Sequence, residues 1–371
     1  MTTRVPYEIL HDMARSLLVK AGLDEDGAAM AADVVCYADE RGLATHGVNA
    51  LVSMYVPWLR DGRVDAKAGL RTVGGEGVVT VLDGGNGLGP VVMTRAVDRA
   101  MDAARQHGAG IVAVRGSTHF GAAGFYTHRM ARAGLIGIAM TNCGAQGVVP
   151  PLGGVKRLLG TNPLSAAVPA GTMPPFVLDM STTAKAAGHI RAAWRDGRPV
   201  PEGWLIGKGG EDVTDPGAYY AGEADLAWLG GRLLTGGAKG YGLGLLVDLL
   251  CGPLTGASYG PHAGALDRAE PSVDHNVGHL AIAIAPAAFG DREAIERDVA
   301  VLLGTVCASP PVAGGDTVTY PGEPEARCAA EVAIGGVSLT ATTVAAAVKL
   351  AIELDVPVPS ALRTAGSGSS S

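Results

Sequence analysis

Apolar residues recur at helical spacing near the start of the chain, where Ile9, Leu10, Met13, Leu17 and Leu18 alternate with polar positions. That spacing predicts an amphipathic helix over residues 6–20, ended by Gly22. A second helix is expected over 25–39, opened by Asp24 as N-cap and stopped near Gly42, and a third from Val48 to Leu59. From Gly77 the period changes. VVTVLD reads as a strand, GGNGLG as a turn, Val91 to Gln106 as a helix and IVAVR as a second strand, and a helix over 121–133 leads into the strand LIGIAMTN. This β-α-β-α-β order indicates an α/β domain. PFVLDM and HLAIAIA read as further strands on either side of WLIGKGGEDVTDPGAYY, whose Gly, Asp and Pro content marks a surface loop. ATTVAAAVKLAIEL is helical, and the tail AGSGSSS from Ala365 is flexible by composition.

With 371 residues, 47% of them hydrophobic, the chain supports two domains or one large one. A net charge of −7 without a Lys/Arg-rich block argues against a nucleic-acid partner or an anionic membrane surface, since both require a basic face. The five cysteines, Cys36, Cys143, Cys251, Cys307 and Cys328, are scattered and never form a C-x-x-C pair, so no disulfide framework or thiolate metal site is expected. Apolar runs such as GLGLLVDLL are interrupted by Asp248 well short of membrane-spanning length, and the N-terminal stripe is amphipathic rather than a continuous signal-peptide core. A soluble protein of the reducing cytoplasm is the expectation. The 55 glycines are about twice the usual share and announce many turns and close backbone approaches.

Candidate chemistry begins in RGLATHGVNAL, where His46 stands between Thr45 and Gly47 in a short polar break between two helices. It suits a proton-transfer role, or simply caps the helix that follows. A nucleotide site is less direct, because the glycines at 84, 85, 87 and 89 do not spell the G-x-G-x-x-G of a Rossmann turn. TGGAKGYGLGLLVDLL is the better anion site: Gly236 and Gly237 leave amides free, Lys239 adds a charge, and a helix beginning near Tyr241 directs its positive end there. A glycine-rich turn with a solvated lysine reads equally well. GSTHFGAAG places His119 and Phe120 between a strand end and a helix start, and Asp179 ends PFVLDM beside Ser181 and Thr182 as N-caps, where it holds a ribose hydroxyl or merely loop amides. His275 and His279 have zinc-ligand spacing for a helix, but His279 leads into a strand, so no metal is expected.

RGLATHG, HFGAAG, GLIGIAMTN, GTNPLSAAVPA, PFVLDMSTT, TDP, GGAKGYGL, GHLAIAIAP and YPGEPE occur in the order seen in the malate/L-lactate dehydrogenase-like oxidoreductases, which this chain resembles over residues 5–360. That family includes ureidoglycolate and sulfolactate dehydrogenases, diketogulonate reductase and Δ1-piperideine-2-carboxylate reductase. The resemblance implies a non-Rossmann α/β fold with a mixed-sheet cofactor domain over 76–317, a discontinuous helical domain of 1–75 with 318–363, and a flexible tail at 364–371. It implies a homodimer that uses NADH or NADPH to reduce a 2-oxo acid derivative or cyclic 2-imino acid, or to run the reverse oxidation.

The same resemblance makes His46 the proton donor with Thr45 as its hydroxyl partner, and His119 and His189 complete the expected catalytic set, as the first alternatives for the donor. Cofactor contacts map onto His119, Phe120, Gly121, Ala122 and Ala123, onto Asp179, Met180 and Ser181, onto Lys239 and Gly240, and onto Pro321, Gly322 and Glu323. Thr161, with Asn142, Gly188 and Ala50, makes up the expected substrate-facing set. Two positions depart from the pattern. Ala50 stands where relatives commonly carry an arginine that grips the substrate carboxylate, and His189 stands where the piperideine-carboxylate reductases carry an aspartate. A small-molecule substrate larger than a simple 2-oxo acid, or one whose carboxylate is masked, is therefore expected to use the space of the missing arginine. Lys185, His189 or Arg191 gripping from another side is the alternative. A nucleotide-binding paralogue that has lost turnover and serves as a scaffold is a further reading, disfavoured by the retention of His46, His119, Asp179 and Lys239.

Overall fold

The computed structural model describes residues 2–260 and 276–363, so His275 and the tail lie outside the described residues. The first strand, β1 (Thr2–Val5), precedes α1 (Tyr7–Lys20) and α2 (Glu25–Glu40). Asp24 caps α2 as its sequence predicts, accepting from the Gly27 amide at 2.7 Å. The third predicted helix is a composite: α3 (Val48–Ala50), a π-helical turn over Leu51–Tyr55 and α4 (Val56–Arg60). A core of Leu10, Leu17, Ala31, Val35, Val48, Leu51 and Tyr55 joins these helices to Val337, Val344, Ala347 and Ala351 from the far end of the chain. Those late residues lie on β12 (Val337–Thr340), which pairs antiparallel with β1, and on α12 (Ala341–Glu353).

The central sheet has the order β2-β3-β4-β11-β5-β6-β7, built from Arg71–Gly74, Val79–Asp83, Ala109–Ser117, Val277–Ile284, Ile136–Thr141, Leu164–Val168 and Phe176–Met180. Only β3 and β4 run parallel, bridged by α5 (Gly89–His107); the other neighbours are antiparallel. The sheet is thus mixed, as expected. Strand β11 inserts between β4 and β5, although α6 (Ala123–Arg132) connects those two directly in sequence. The apolar stripe of α5 and Phe120, Tyr126 and Met130 of the α6 region cover one face of the sheet, and Val247 and Cys251 of α9 (Gly237–Cys251) touch Met140 and Leu280 on the other.

One predicted loop is a folded unit. Between α7 (Ala187–Arg195) and α9, the stretch read as surface loop contains β8 (Leu205–Gly207), β9 (Asp212–Val213) and α8 (Pro216–Ala221), followed by β10 (Ala224–Leu226). Leu205, Tyr219, Leu226 and Trp228 bury against Ile190 of α7. Strands of two or three residues between Gly and Asp turns carry no period for a sequence reading to detect. The remaining helices are α10 (Arg292–Cys307), α11 (Glu323–Gly335) and α13 (Ser360–Arg363).

Candidate active site

The turn that carries His46 is shaped by a buried carboxylate. Asp39, on the last turn of α2, is 8% exposed and accepts the Val48 amide at 2.7 Å, so it caps α3 from a distance. The chain passes so close over this carboxylate that a Cβ at Gly47 would stand 1.9 Å from Asp39 Oδ1. Burial pushes the Asp39 carboxyl up to about 7, opposed by the Val48 hydrogen bond.

This turn stacks the His46 ring on the His119 ring, with centroids 5.5 Å apart and planes 7° from parallel. Thr45 Oγ1 lies 3.0 Å from His46 Nδ1. The Tyr55 hydroxyl reaches His119 Nδ1 at 2.9 Å, and the Gly121 amide, which can only donate, reaches the same nitrogen at 3.3 Å. Neutral His119 therefore carries its proton on Nε2, an assignment made from its partners. Burial first, and then the nearby His189, push His46 down to about 4, so it is a neutral base at pH 7.

His189 sits in the first turn of α7 and belongs to the same cluster. A Cβ on its neighbour Gly188 would meet Thr45 Cγ2 at 3.2 Å, and the His189 ring faces Trp204 edge-on at 6.1 Å. Its Nδ1 is buried with no partner, and burial and the Lys185 ammonium lower its proton affinity. The structure thus brings Thr45, His46, His119, Gly188 and His189 together.

A second grouping gathers around the end of β7. Asp179 Oδ2 accepts the Gly124 amide at 2.8 Å at the start of α6, tying the His119-to-Ala123 turn to β7. Gly121 takes φ +87°, and Ala122 and Ala123 are the N-cap and first residue of α6. Asp179 is exposed to solvent at the end of β7, with its Oδ2 held by the Gly124 amide. It lines a cavity of about 120 Å³ together with Tyr37, Arg41, His128, Pro321 and Gly322. Pro321 accepts the Val177 amide of β7 at 2.9 Å, and Gly322, with φ +96°, is the N-cap of α11. Glu323 Oε2 is buried there without a partner. Met180 ends β7, and Ser181 Oγ donates to the Thr183 carbonyl at 3.0 Å. The adjoining loop reaches Thr161, whose carbonyl accepts the Thr182 amide and hydroxyl at 3.0 and 2.9 Å. Thr182 also accepts the Leu229 amide, and Leu229 accepts the Gly240 amide, which links this loop to the start of α9.

Several expectations are corrected. Helix α9 begins at Gly237, not near Tyr241, and the amides of Gly236 and Gly237 donate to the Arg232 carbonyl at 3.1 and 2.8 Å. A 3-10 turn over Leu233–Thr235 precedes the helix, so the amides read as free for an anion are used by the turn. The exposed Lys239 side chain remains for that task. Asn142 is 3% exposed and its amide is fully engaged: Nδ2 donates to Asp248 and the Ser258 carbonyl, and Oδ1 accepts from Gly144 and Gly278. It is a tie between β5, α9 and β11 rather than a substrate contact. The Phe120 ring stacks on His279 at 4.9 Å in the core. His279 is buried in the sheet with Nδ1 2.7 Å from Thr141 Oγ1 and Nε2 2.8 Å from Ser117 Oγ, a satisfied core histidine. Among the described residues no three His, Cys, Asp or Glu side chains converge to hold a metal ion.

Ala50 opens onto no vacant space. It is 1% exposed and packs in the helical core with Val48, Leu51 and Tyr55. Asp39, Tyr55 and Trp204 carry no sequence signal of their role: in pattern a helix-end aspartate reads as solvated, a tyrosine on an apolar stripe as core, and a tryptophan at the head of a polar stretch as loop.

The relatives of this chain include dehydrogenases named for NAD⁺ and for NADP⁺, and the chain is an NAD(P)-dependent oxidoreductase. It belongs to the malate/L-lactate dehydrogenase family, a dehydrogenase and reductase family acting on hydroxy and oxo acids, whose model matches residues 5–347. It is 38% identical over 272 residues to the malate dehydrogenase of Pyrococcus abyssi, covering 73% of this chain and 74% of that one. It is 30% identical over 336 residues to the NAD⁺-dependent ureidoglycolate dehydrogenase of Escherichia coli K12, covering 91% and 92%. The crystal structure of malate dehydrogenase from Entamoeba histolytica superposes with a TM-score of 0.91 at 31% identity, over 97% of this chain and 100% of that chain. The family expected from the motifs is confirmed, and with it the non-Rossmann α/β fold.

Proposed function

We propose that this enzyme interconverts a 2-hydroxy acid and its 2-oxo acid, or an amino and imino acid of the cyclic kind, with His46 transferring the proton at the heteroatom. The observation that carries the reading is a partly buried neutral imidazole, stacked on His119 and fixed at Nδ1 by Thr45, which leaves Nε2 to face substrate. With Nδ1–H donating to Thr45 Oγ1, Nε2 presents a lone pair to a substrate hydroxyl. Because His46 is neutral at pH 7, the site is set for oxidation: the hydroxyl proton passes to Nε2 as the C–H bond gives up its hydride. In the reverse direction an anionic substrate raises the proton affinity of His46 and lets it donate.

The second grouping supports a reading in which it contacts part of a dinucleotide. Asp179 offers a carboxylate in a cavity walled by the Tyr37 ring, Glu323 holds an unpartnered buried oxygen, and Lys239 projects an ammonium into solvent at the start of α9. When bound, the nicotinamide accepts or delivers the hydride. The intact cluster around His46 supports an enzyme over a scaffold. The experiment is a rate panel with NAD⁺ and NADP⁺ against 2-hydroxy acids, and with the reduced cofactors against 2-oxo acids and cyclic imines. Turnover of a member with one cofactor is expected; cofactor binding without turnover of any member would favour the scaffold.

The reading extends to a homodimer in a reducing, cytoplasmic setting. Helix α9 is largely apolar, and Leu246 and Leu249 on it are 49% and 52% exposed, with Leu254 beyond it 60% exposed. A second copy would bury that face, and light scattering should return twice the chain mass. All five cysteines are free, as a reducing compartment allows. Among the described residues no helix is long and apolar enough to cross a membrane.

A further inference from the structure

We propose that Lys185, at the entrance to α7, is the carboxylate-binding residue of this enzyme, replacing the grip that Ala50 cannot supply. The inference rests on the reading of the site as a 2-hydroxy acid dehydrogenase, and names how that substrate is recognised. Ala50 is sealed in the helical core, so the substrate acid must be held from elsewhere. Across the site, Lys185 is partly buried, and its ammonium stands 5.2 Å from the centroid of the Trp204 ring. Among the described residues it has no ion-pair partner, whereas Lys208 and Lys349 are each paired with a carboxylate. A cation half withdrawn from water over an aromatic face calls for an anion.

The surroundings place that anion next to the proton-transfer group. Trp204 contacts His189 edge-on, the backbone of Gly188 lies against Thr45, and Thr45 touches His46. The buried, unpartnered Nδ1 of His189 is a second polar group on the same side. Helix α7 starts at Ala187 with no side-chain cap, so its positive end also faces this corner. Arg191, the other nearby cation, is exposed on the next turn. A lysine ammonium is a point charge that holds a compact carboxylate without the bidentate geometry of an arginine. The substrate is therefore a free acid, not an amide, ester or carrier-linked form.

The test compares wild type, Lys185→Gln and Lys185→Arg. Oxamate, a non-reacting 2-oxo acid mimic, is titrated calorimetrically into each protein in the presence of NADH and, separately, of NADPH, with the affinity for each cofactor measured on its own. Wild type should bind oxamate, Lys185→Gln should bind it at least tenfold more weakly with cofactor affinity unchanged, and Lys185→Arg should recover part of the loss. For any acid found to turn over, Lys185→Gln should raise KM by the same factor and abolish the preference for the acid over its methyl ester. Equal oxamate affinity in wild type and Lys185→Gln would overturn the assignment, and so would a wild type that binds NADH or NADPH but no carboxylate. Failure of wild type to bind either NADH or NADPH would instead defeat the functional reading itself.

Discussion

Gly47→Ala is the sharpest structural perturbation of the site. A methyl group at this position would lie 1.9 Å from Asp39 Oδ1 and 2.1 Å from its Cγ, and the backbone there has a negative φ of −84°, so the cost is steric rather than conformational. The carboxylate is 8% exposed and cannot yield without breaking its 2.7 Å bond to the Val48 amide. Hydrogen bonds to charged groups contribute about 1.5–3 kcal/mol, and leaving a buried amide unpaired adds about 1 kcal/mol or more. Gly47→Ala should therefore destabilise the fold by about 2–4 kcal/mol. It should also lower kcat, because the displaced turn carries His46. Asp39→Ala alone should cost about 1–3 kcal/mol by removing the same bond. In the Asp39→Ala background the methyl meets no carboxylate, so adding Gly47→Ala should cost little. Urea denaturation of the four proteins gives the coupling energy directly. Additive costs, or a Gly47→Ala protein as stable and active as wild type, would refute the steric account.

Three further outcomes follow from the same geometry. Since burial holds His46 down to about 4, kcat/KM for alcohol oxidation should stay flat from pH 8 to about 5 and fall below that, as the base becomes protonated; a fall already centred near 6.5 would show a solvated imidazole. His279 is fully buried and pushed down to about 3, so between pH 6.5 and 3 the unfolded chain binds a proton that the native sheet refuses. Stability should drop on acidification across that window by at most about 5 kcal/mol from this residue, and His279→Gln should flatten the slope in pH-dependent urea unfolding. Lys239→Ala should weaken cofactor binding by about 1–3 kcal/mol in a fluorescence titration, and unchanged affinity would remove Lys239 from the cofactor site.

The legible parts of the molecule were those written in local pattern. The β3-α5-β4 unit shows itself through an apolar run, a glycine turn and an amphipathic stripe, and the Asp24 cap through its side chain alone. His46 stood out because its flanking residues break two helices. What sequence could not show depends on distant segments. Strand β11 enters between β4 and β5 from more than a hundred residues away, and no local signal specifies that register. Asn142 looked available to substrate, yet its four hydrogen bonds go to Asp248, Ser258, Gly144 and Gly278, most of them far along the chain. The amides before Lys239 looked free because a 3-10 turn is invisible in a glycine-rich run. Ala50 read as a vacancy, whereas its methyl group fills a core position.

The central claim is that His46 transfers the proton while the hydride moves. Pre-steady-state hydride transfer, followed at the nicotinamide absorbance band with enzyme in excess over cofactor, tests it in His46→Asn, which keeps a polar side chain of similar reach. The account predicts unchanged cofactor affinity, a transfer rate roughly 10²–10⁴-fold lower, the usual range for lost acid–base catalysis, and loss of the acidic limb of the pH profile. A mutant that transfers hydride at the wild-type rate with the same pH dependence would contradict it.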